Sequence, residues 1–164
     1  MFIDLKQLFE VVGETKPIDY ALDLSEVKLY SGNPFQTPVQ IKGGIVNHAG
    51  IVELKYHARF QLAKACDRCL EDVVKDFDMA FEHILVNELN AAYSDDFILL
   101  EESKLDMDEL AVSDILLELP LKILCRDDCK GLCPDCGQNL NEKECGCKHK
   151  QLDPRLQALQ ELLK

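Results

Sequence analysis

Strict alternation of apolar and polar residues runs through the first half of the chain, the period of a strand that buries one face. Ile18, Tyr20, Leu22 and Leu24 show it first. Val39, Ile41, Gly43 and Ile45 follow, then Val52, Leu54, Tyr56, Ala58, Phe60 and Leu62. A fourth run takes in Val73, Lys75, Phe77, Met79, Phe81, His83 and Leu85. The joints are turn-formers: Ser31 to Pro38 reads SGNPFQTP, Asn47-His48-Ala49-Gly50 fits a hairpin loop, and Cys66-Asp67-Arg68-Cys69 lies at a reversal. Short joints call for antiparallel neighbours. The expected class is therefore α+β, an antiparallel β-meander or barrel-like sheet with few helices.

The helical period is rarer. Asp4 can cap a short helix through Phe9, and Asp106 to Leu119 places Met107, Leu110, Ala111, Asp114 and Leu117 at helical spacing before Pro120 stops it. Phe97 to Leu100 predicts one more strand. Asp153-Pro154 then opens an amphipathic helix with Leu156, Leu159, Leu162 and Leu163 on one stripe. No internal repeat or long linker interrupts this order. A chain of 164 residues, 47% hydrophobic, supports one main core and a small appendage. The expected division is a sheet domain over residues 1–124, carrying an acidic loop and helix, and a cysteine-rich zinc-binding module over 125–164 that ends in the amphipathic helix and packs on the first.

Charge narrows the range of partners. The formal charge is −12, and most of it lies between Glu88 and Glu118, where ten acids face Lys104 alone. Duplex binders present a basic face that releases counterions from phosphates, and no such net field exists here. The acidic band reads as a solvated face or as a docking surface for a basic protein. The locally basic stretch is Lys143, Lys148, Lys150 and Arg155, which marks the place for an RNA backbone contact if there is one. No apolar run is long enough to span a membrane, and Met1 to Phe9 lacks the order of an export signal, so a cytoplasmic protein is expected.

Eight cysteines in a reducing compartment are free for metal rather than for disulfides. Six of them fall in LCRDDCKGLCPDCGQNLNEKECGC, from Cys125 to Cys147. Cys133-Pro134-Asp135-Cys136-Gly137 has the form of a thiolate knuckle, and Cys145-Gly146-Cys147 can complete its tetrahedron. Cys125 and Cys129 remain for a second quartet with Cys66 and Cys69. A rival partition joins Cys129, Cys133 and Cys136 to one of Cys145 or Cys147, and spacing does not choose between the two. An all-sulfur donor set predicts one or two structural zinc ions. No phosphate loop, nucleophile elbow or zincin motif is present, so neither a reaction nor a small-molecule substrate is expected.

Three segments read together, ACDRCLEDV from Ala65, CRDDCKGLCPDCGQNLN from Cys125, and the closing DPRLQALQELL, make the chain resemble the YceD family of large ribosomal RNA subunit accumulation proteins. The matching positions are Cys66, Arg68, Cys69 and Leu70 in the turn, then Cys125, Cys129, Lys130, Gly131, Leu132, Cys133, Cys136 and Gly137. The resemblance implies a role in 23S rRNA accumulation and large-subunit assembly in bacteria and plastids. The expected mode is non-enzymatic, through a large-subunit precursor, its rRNA or a basic ribosomal protein. Two alternatives compete: a zinc-stabilised adaptor unrelated to ribosomes, and a thiol oxidoreductase using Cys66 and Cys69.

Overall fold

The period-two runs become strands because each carries one apolar face that only a sheet can bury in register. The computed structural model describes residues 1–29, 32–88 and 97–147. In chain order these form β1 (Phe2–Asp4), α1 (Lys6–Glu10), β2 (Thr15–Leu22), β3 (Val39–His48), β4 (Ile51–Ala65), β5 (Asp72–Val86), β6 (Phe97–Leu99), β7 (Lys104–Asp106) and α2 (Met107–Glu118). The predicted C-terminal helix, Asp153 to Leu163, lies outside the described residues. The backbone groups by contact into two compact units. Unit 1 is Met1–Lys64 with Val74–Leu121, and unit 2 is Ala65–Val73 with Lys122–Lys164.

In unit 1 the sheet order is β2-β3-β4-β5-β6. β2 pairs antiparallel with β3, and β3 with β4. The pairs Lys55–Glu82, Arg59–Asp78 and Gln61–Asp76 run in opposite numerical order, so β5 is antiparallel to β4. β6 then joins β5 in parallel. The sheet is open, with β2 and β6 as its edges among the described residues, so the meander form holds and the barrel form does not. A three-residue parallel β6 reached after a long connection cannot close on β2. The β3–β4 loop is the two residues Ala49 and Gly50, both at positive φ (52° and 91°), the geometry that matches the twist of a tight hairpin. Buried Asn47 braces it, accepting from the Gly50 N–H at 2.9 Å and donating to the Leu8 carbonyl at 2.7 Å.

Two local readings change. Asp4 belongs to β1, which pairs antiparallel with β7 to make a second, two-stranded sheet, and α1 starts only at Lys6 with Leu5 at its N-cap position, while Asp4 Oδ1 still accepts from the Lys6 N–H at 3.0 Å. Three residues with so little alternation carry no strand signature, and the pairing with β7 supplies what local sequence does not. On α2, the buried positions are Met107, Ala111 and Ile115, whereas Leu117 is 82% exposed. Asp106 caps this helix, accepting from the Asp108 and Glu109 N–H groups at 3.1 and 3.4 Å.

Asp114 was placed on the apolar stripe by spacing, and its neighbours explain how a carboxylate sits there. It accepts from the Tyr56 hydroxyl at 2.5 Å and meets His83 Nε2 at 2.6 Å. Tyr56 is buried in the middle of β4, so this bond satisfies a hydroxyl that water does not reach. Asp114→Ala should cost about 2–3 kcal/mol, the penalty of a stranded buried donor. Tyr56→Phe in the same background should recover part of the loss, giving non-additive free energies in urea unfolding. Additive losses would show that the two groups do not depend on each other.

Among the described residues, no helix is long and apolar enough to cross a membrane.

Candidate metal centre

Unit 2 is built around the tip of the β4–β5 hairpin. There the Leu70 N–H donates to the Cys66 carbonyl at 3.0 Å and the Cys66 N–H to the Glu71 carbonyl at 2.8 Å. Closing this turn forces Leu70 to φ 62°, a left-handed value that costs a branched residue about 1–2 kcal/mol. The reversal turns the Arg68 N–H toward Cys66 Sγ at 3.5 Å, and the Cys125 N–H reaches the same sulfur at 3.3 Å. Asp67 anchors the incoming segment reciprocally, its N–H donating to the Ile123 carbonyl at 3.0 Å and its carboxylate accepting from the Ile123 N–H at 2.6 Å.

Those contacts bring Cys66, Cys69, Cys125 and Cys129 together, with all four sulfurs within 4.8 Å of one another. Cys66 and Cys129 stand 3.8 Å apart, and Cys69 and Cys125 3.5 Å. A tetrahedral ion with metal–sulfur bonds of about 2.3 Å needs sulfurs about 3.8 Å apart. Two of the quartet's six sulfur separations are close to that value, and all lie within 4.8 Å. All eight cysteines are free thiols.

Cys133, Cys136, Cys145 and Cys147 form a second quartet to the same 4.8 Å limit. Its knuckle repeats the first: the Gly137 N–H donates to the Cys133 carbonyl at 2.9 Å and the Cys133 N–H to the Gln138 carbonyl at 2.8 Å. Gly137, at φ 73°, occupies the place of Leu70. Two turns that share only the Cys-x-x-Cys spacing thus carry the same hydrogen bonds. The eight thiols divide into the two quartets of the first partition, and the rival partition is not formed.

The electrostatics favour a dication. Burial pushes the Cys66 thiol up, but N–H groups of Cys69, Arg68 and Cys125 aimed at its sulfur outweigh that and bring it to about 6. N–H donation from Cys136 pulls Cys133 down, past the opposing effect of burial, also to about 6. Against burial, Cys129 moves down with Cys66, drawn by the Asn141 side chain and the Gly131 N–H, whereas Cys69, Cys125, Cys145 and Cys147 move the other way. Cys147 is pushed up to about 12, chiefly by Cys136 and then by burial. Once one sulfur of a quartet is ionised, like charge resists the next, and a bound cation removes that resistance.

Several supporting residues were not singled out from the sequence. Asn141 donates to Cys129 Sγ at 3.3 Å and accepts from the Lys130 N–H at 2.7 Å. Asn139 accepts from the Asn141 N–H at 3.0 Å and donates to Glu71 at 2.7 Å. Arg68 donates from Nη1 to the Cys129 carbonyl at 2.8 Å, setting a cation beside a centre whose net charge with zinc would be −2. Gly131 passes so near that a Cβ would stand 3.0 Å from the Arg68 carbonyl oxygen, and its φ is 77°. Asparagines in a turn-rich segment look like ordinary loop residues. Only their contacts distinguish them.

The remaining sequence candidates fall elsewhere. Lys143 is exposed in unit 2, while Lys148, Lys150 and Arg155 lie outside the described residues. His57 pairs with Asp78 on the sheet surface and His83 with Asp114, and neither belongs to a thiol quartet.

The family described as "Large ribosomal RNA subunit accumulation protein YceD" matches residues 54–163, a span that contains both quartets and the hairpin tip that carries the first. This chain belongs to the YceD family. The uncharacterized protein YlbN of Bacillus subtilis (strain 168) is 28% identical over 164 residues, covering 96% of this chain and 94% of that protein. An uncharacterized protein of Mycobacterium tuberculosis (strain ATCC 25618 / H37Rv) is 33% identical over 102 residues, 60% of this chain and 49% of its own. Large ribosomal RNA subunit accumulation protein YCED homolog 1, chloroplastic, of Arabidopsis thaliana is 24% identical over 163 residues, 81% of this chain and 51% of its own. The chain thus spans about half the length of the mycobacterial and plant relatives. No solved structure matches it.

Proposed function

We propose that this protein is a non-enzymatic factor that promotes 23S rRNA accumulation and large-subunit assembly by binding, and that two zinc ions hold its cysteine segment in shape. Membership of a family described by large ribosomal RNA subunit accumulation carries the reading, and the name of the plant relative agrees with it. The site chemistry supports binding over catalysis. Each quartet supplies four sulfurs to an ion that takes four ligands, leaving no position for substrate or water. Cys66, the more acidic thiol of the proposed redox pair, is fully buried among the other three, where an incoming disulfide has no approach.

Charge favours a basic protein over rRNA as the direct contact. The described part of unit 2 holds five basic residues (Arg68, Lys122, Arg126, Lys130 and Lys143) against eight acidic ones, and two zinc–thiolate centres would each add −2. Deletion of the gene in its own host should lower 23S rRNA relative to 16S, and the tagged protein should sediment with large-subunit precursors. Unchanged rRNA together with absence from every ribosomal fraction would sink the proposal.

A further inference from the structure

A groove of about 760 Å3 opens on unit 1 beside α2, β7 and the edge strand β6. Its walls expose large apolar side chains that the fold leaves uncovered: Phe2 is 76% exposed and Leu99 48%, and Leu110 is half-buried. Exposed apolar surface of this kind, bounded by charged groups, marks a place where another molecule docks. The bounding groups here are acidic. Glu101, Glu102 and Glu109 line the groove, and its sole lysine, Lys104, is held by Glu102 at 2.7 Å. Glu101 and Glu109 have no cationic partner among the described residues.

We infer that this groove docks a lysine- and arginine-rich segment of a protein partner, whose apolar side chains seat on Phe2 and Leu99 while its cations meet Glu101 and Glu109. The inference rests on the binding role proposed above and names the partner's chemistry. Charge separates the two macromolecular classes open to a large-subunit factor. A phosphate backbone would set like charge against the rim and offer little to the apolar walls, whereas a basic segment neutralises the carboxylates as it covers Phe2 and Leu99. Four of the ten acids between Glu88 and Glu118, namely Glu101, Glu102, Asp106 and Glu109, line this groove.

The test titrates the full chain, fluorescently labelled, with purified large-subunit ribosomal proteins one at a time and with 23S rRNA. The variants are Glu101→Lys with Glu109→Lys, the milder Glu101→Gln with Glu109→Gln, and Leu99→Asp. All sit on the exposed surface, and unchanged thermal unfolding checks that each is folded. At least one basic protein should bind, with affinity falling about tenfold or more for the lysine pair and for Leu99→Asp, and by less for the glutamine pair. Undiminished binding by the folded lysine pair and Leu99→Asp would overturn the inference. So would rRNA as the only ligand. If no ribosomal protein binds while the chain still sediments with precursors, the groove assignment fails and the proposed function stands. If a basic protein binds through the groove but the chain is absent from ribosomal fractions in cells, the proposed function fails and the groove assignment stands.

Discussion

Protein purified without chelator should carry about two zinc ions per chain, and stripping them should unfold the cysteine segment while the sheet survives. Structural zinc in small modules contributes on the order of 10–16 kcal/mol of apparent binding free energy, and unit 2 has few alternatives to it. Its described residues form no helix and only short turns, and the buried side chains it contributes are chiefly the cysteines themselves with Ile123 and Val73. Without the ion, each quartet becomes four thiols in mutual contact, which cannot all ionise and do not bond to one another. The strained Leu70 and the tight passage of Gly131 past Arg68 would then have little to hold them.

The two centres should differ. The first joins Cys66 to Cys129 across 63 positions, so it fixes the C-terminal segment on the hairpin tip, whereas the second closes a local loop from Cys133 to Cys147. Cys66→Ser should therefore disturb more of unit 2 than Cys145→Ser. Metal analysis, thiol counting before and after chelation, and amide spectra resolved by residue check these outcomes. Chelated protein with an unchanged spectrum and no newly reactive thiols would remove the structural role of metal. Because thiolates are the ligands, acid should release the ions by protonating them, and zinc content should fall with pH before the sheet melts.

Gly43→Ala should be the most damaging single methyl in unit 1. Gly43 lies between the buried Ile41 and Ile45 in the alternation of β3, is itself exposed, and pairs with Tyr56 of β4. A Cβ there would lie 2.1 Å from the Lys55 carbonyl oxygen, 2.5 Å from Tyr56 Cα and 2.6 Å from Tyr56 Cβ. Two of these are backbone atoms of a paired strand, so no rotamer change relieves the clash. β3 and β4 would have to separate at the centre of the sheet, in the contact that also aims Tyr56 at Asp114. A loss of about 3 kcal/mol or more is expected, against the 1–3 kcal/mol usual for overpacking. The adjacent Gly44→Ala meets the Lys16 carbonyl oxygen at 3.3 Å and Pro17 Cα at 3.9 Å and should cost under about 1 kcal/mol. Urea unfolding of both variants decides the matter, and equal stabilities would show that the strands are not held at this spacing.

Alternation alone determined the four long strands, since a period of two sustained over eight residues or more is satisfied by one buried face, and the Asn47–Gly50 turn residues marked the β3–β4 hairpin, whose positive φ at Ala49 and Gly50 the structure supplied. The same residues did not determine closure or the edges. β1, β6 and β7 have three residues each, too few for a period, and exist because tertiary neighbours complete their hydrogen bonds. For the cysteines, the sequence supplied the donor chemistry and one knuckle, because a CPDCG turn is a local arrangement. Which sulfurs share a centre was decided by contacts between segments more than fifty positions apart, those of Asp67 with Ile123 and of Arg68 with Cys129. The claim that spacing could make, a cluster of thiolate ligands, becomes in the structure two separate quartets, one tying the hairpin tip to the chain that follows α2 and one closed on itself.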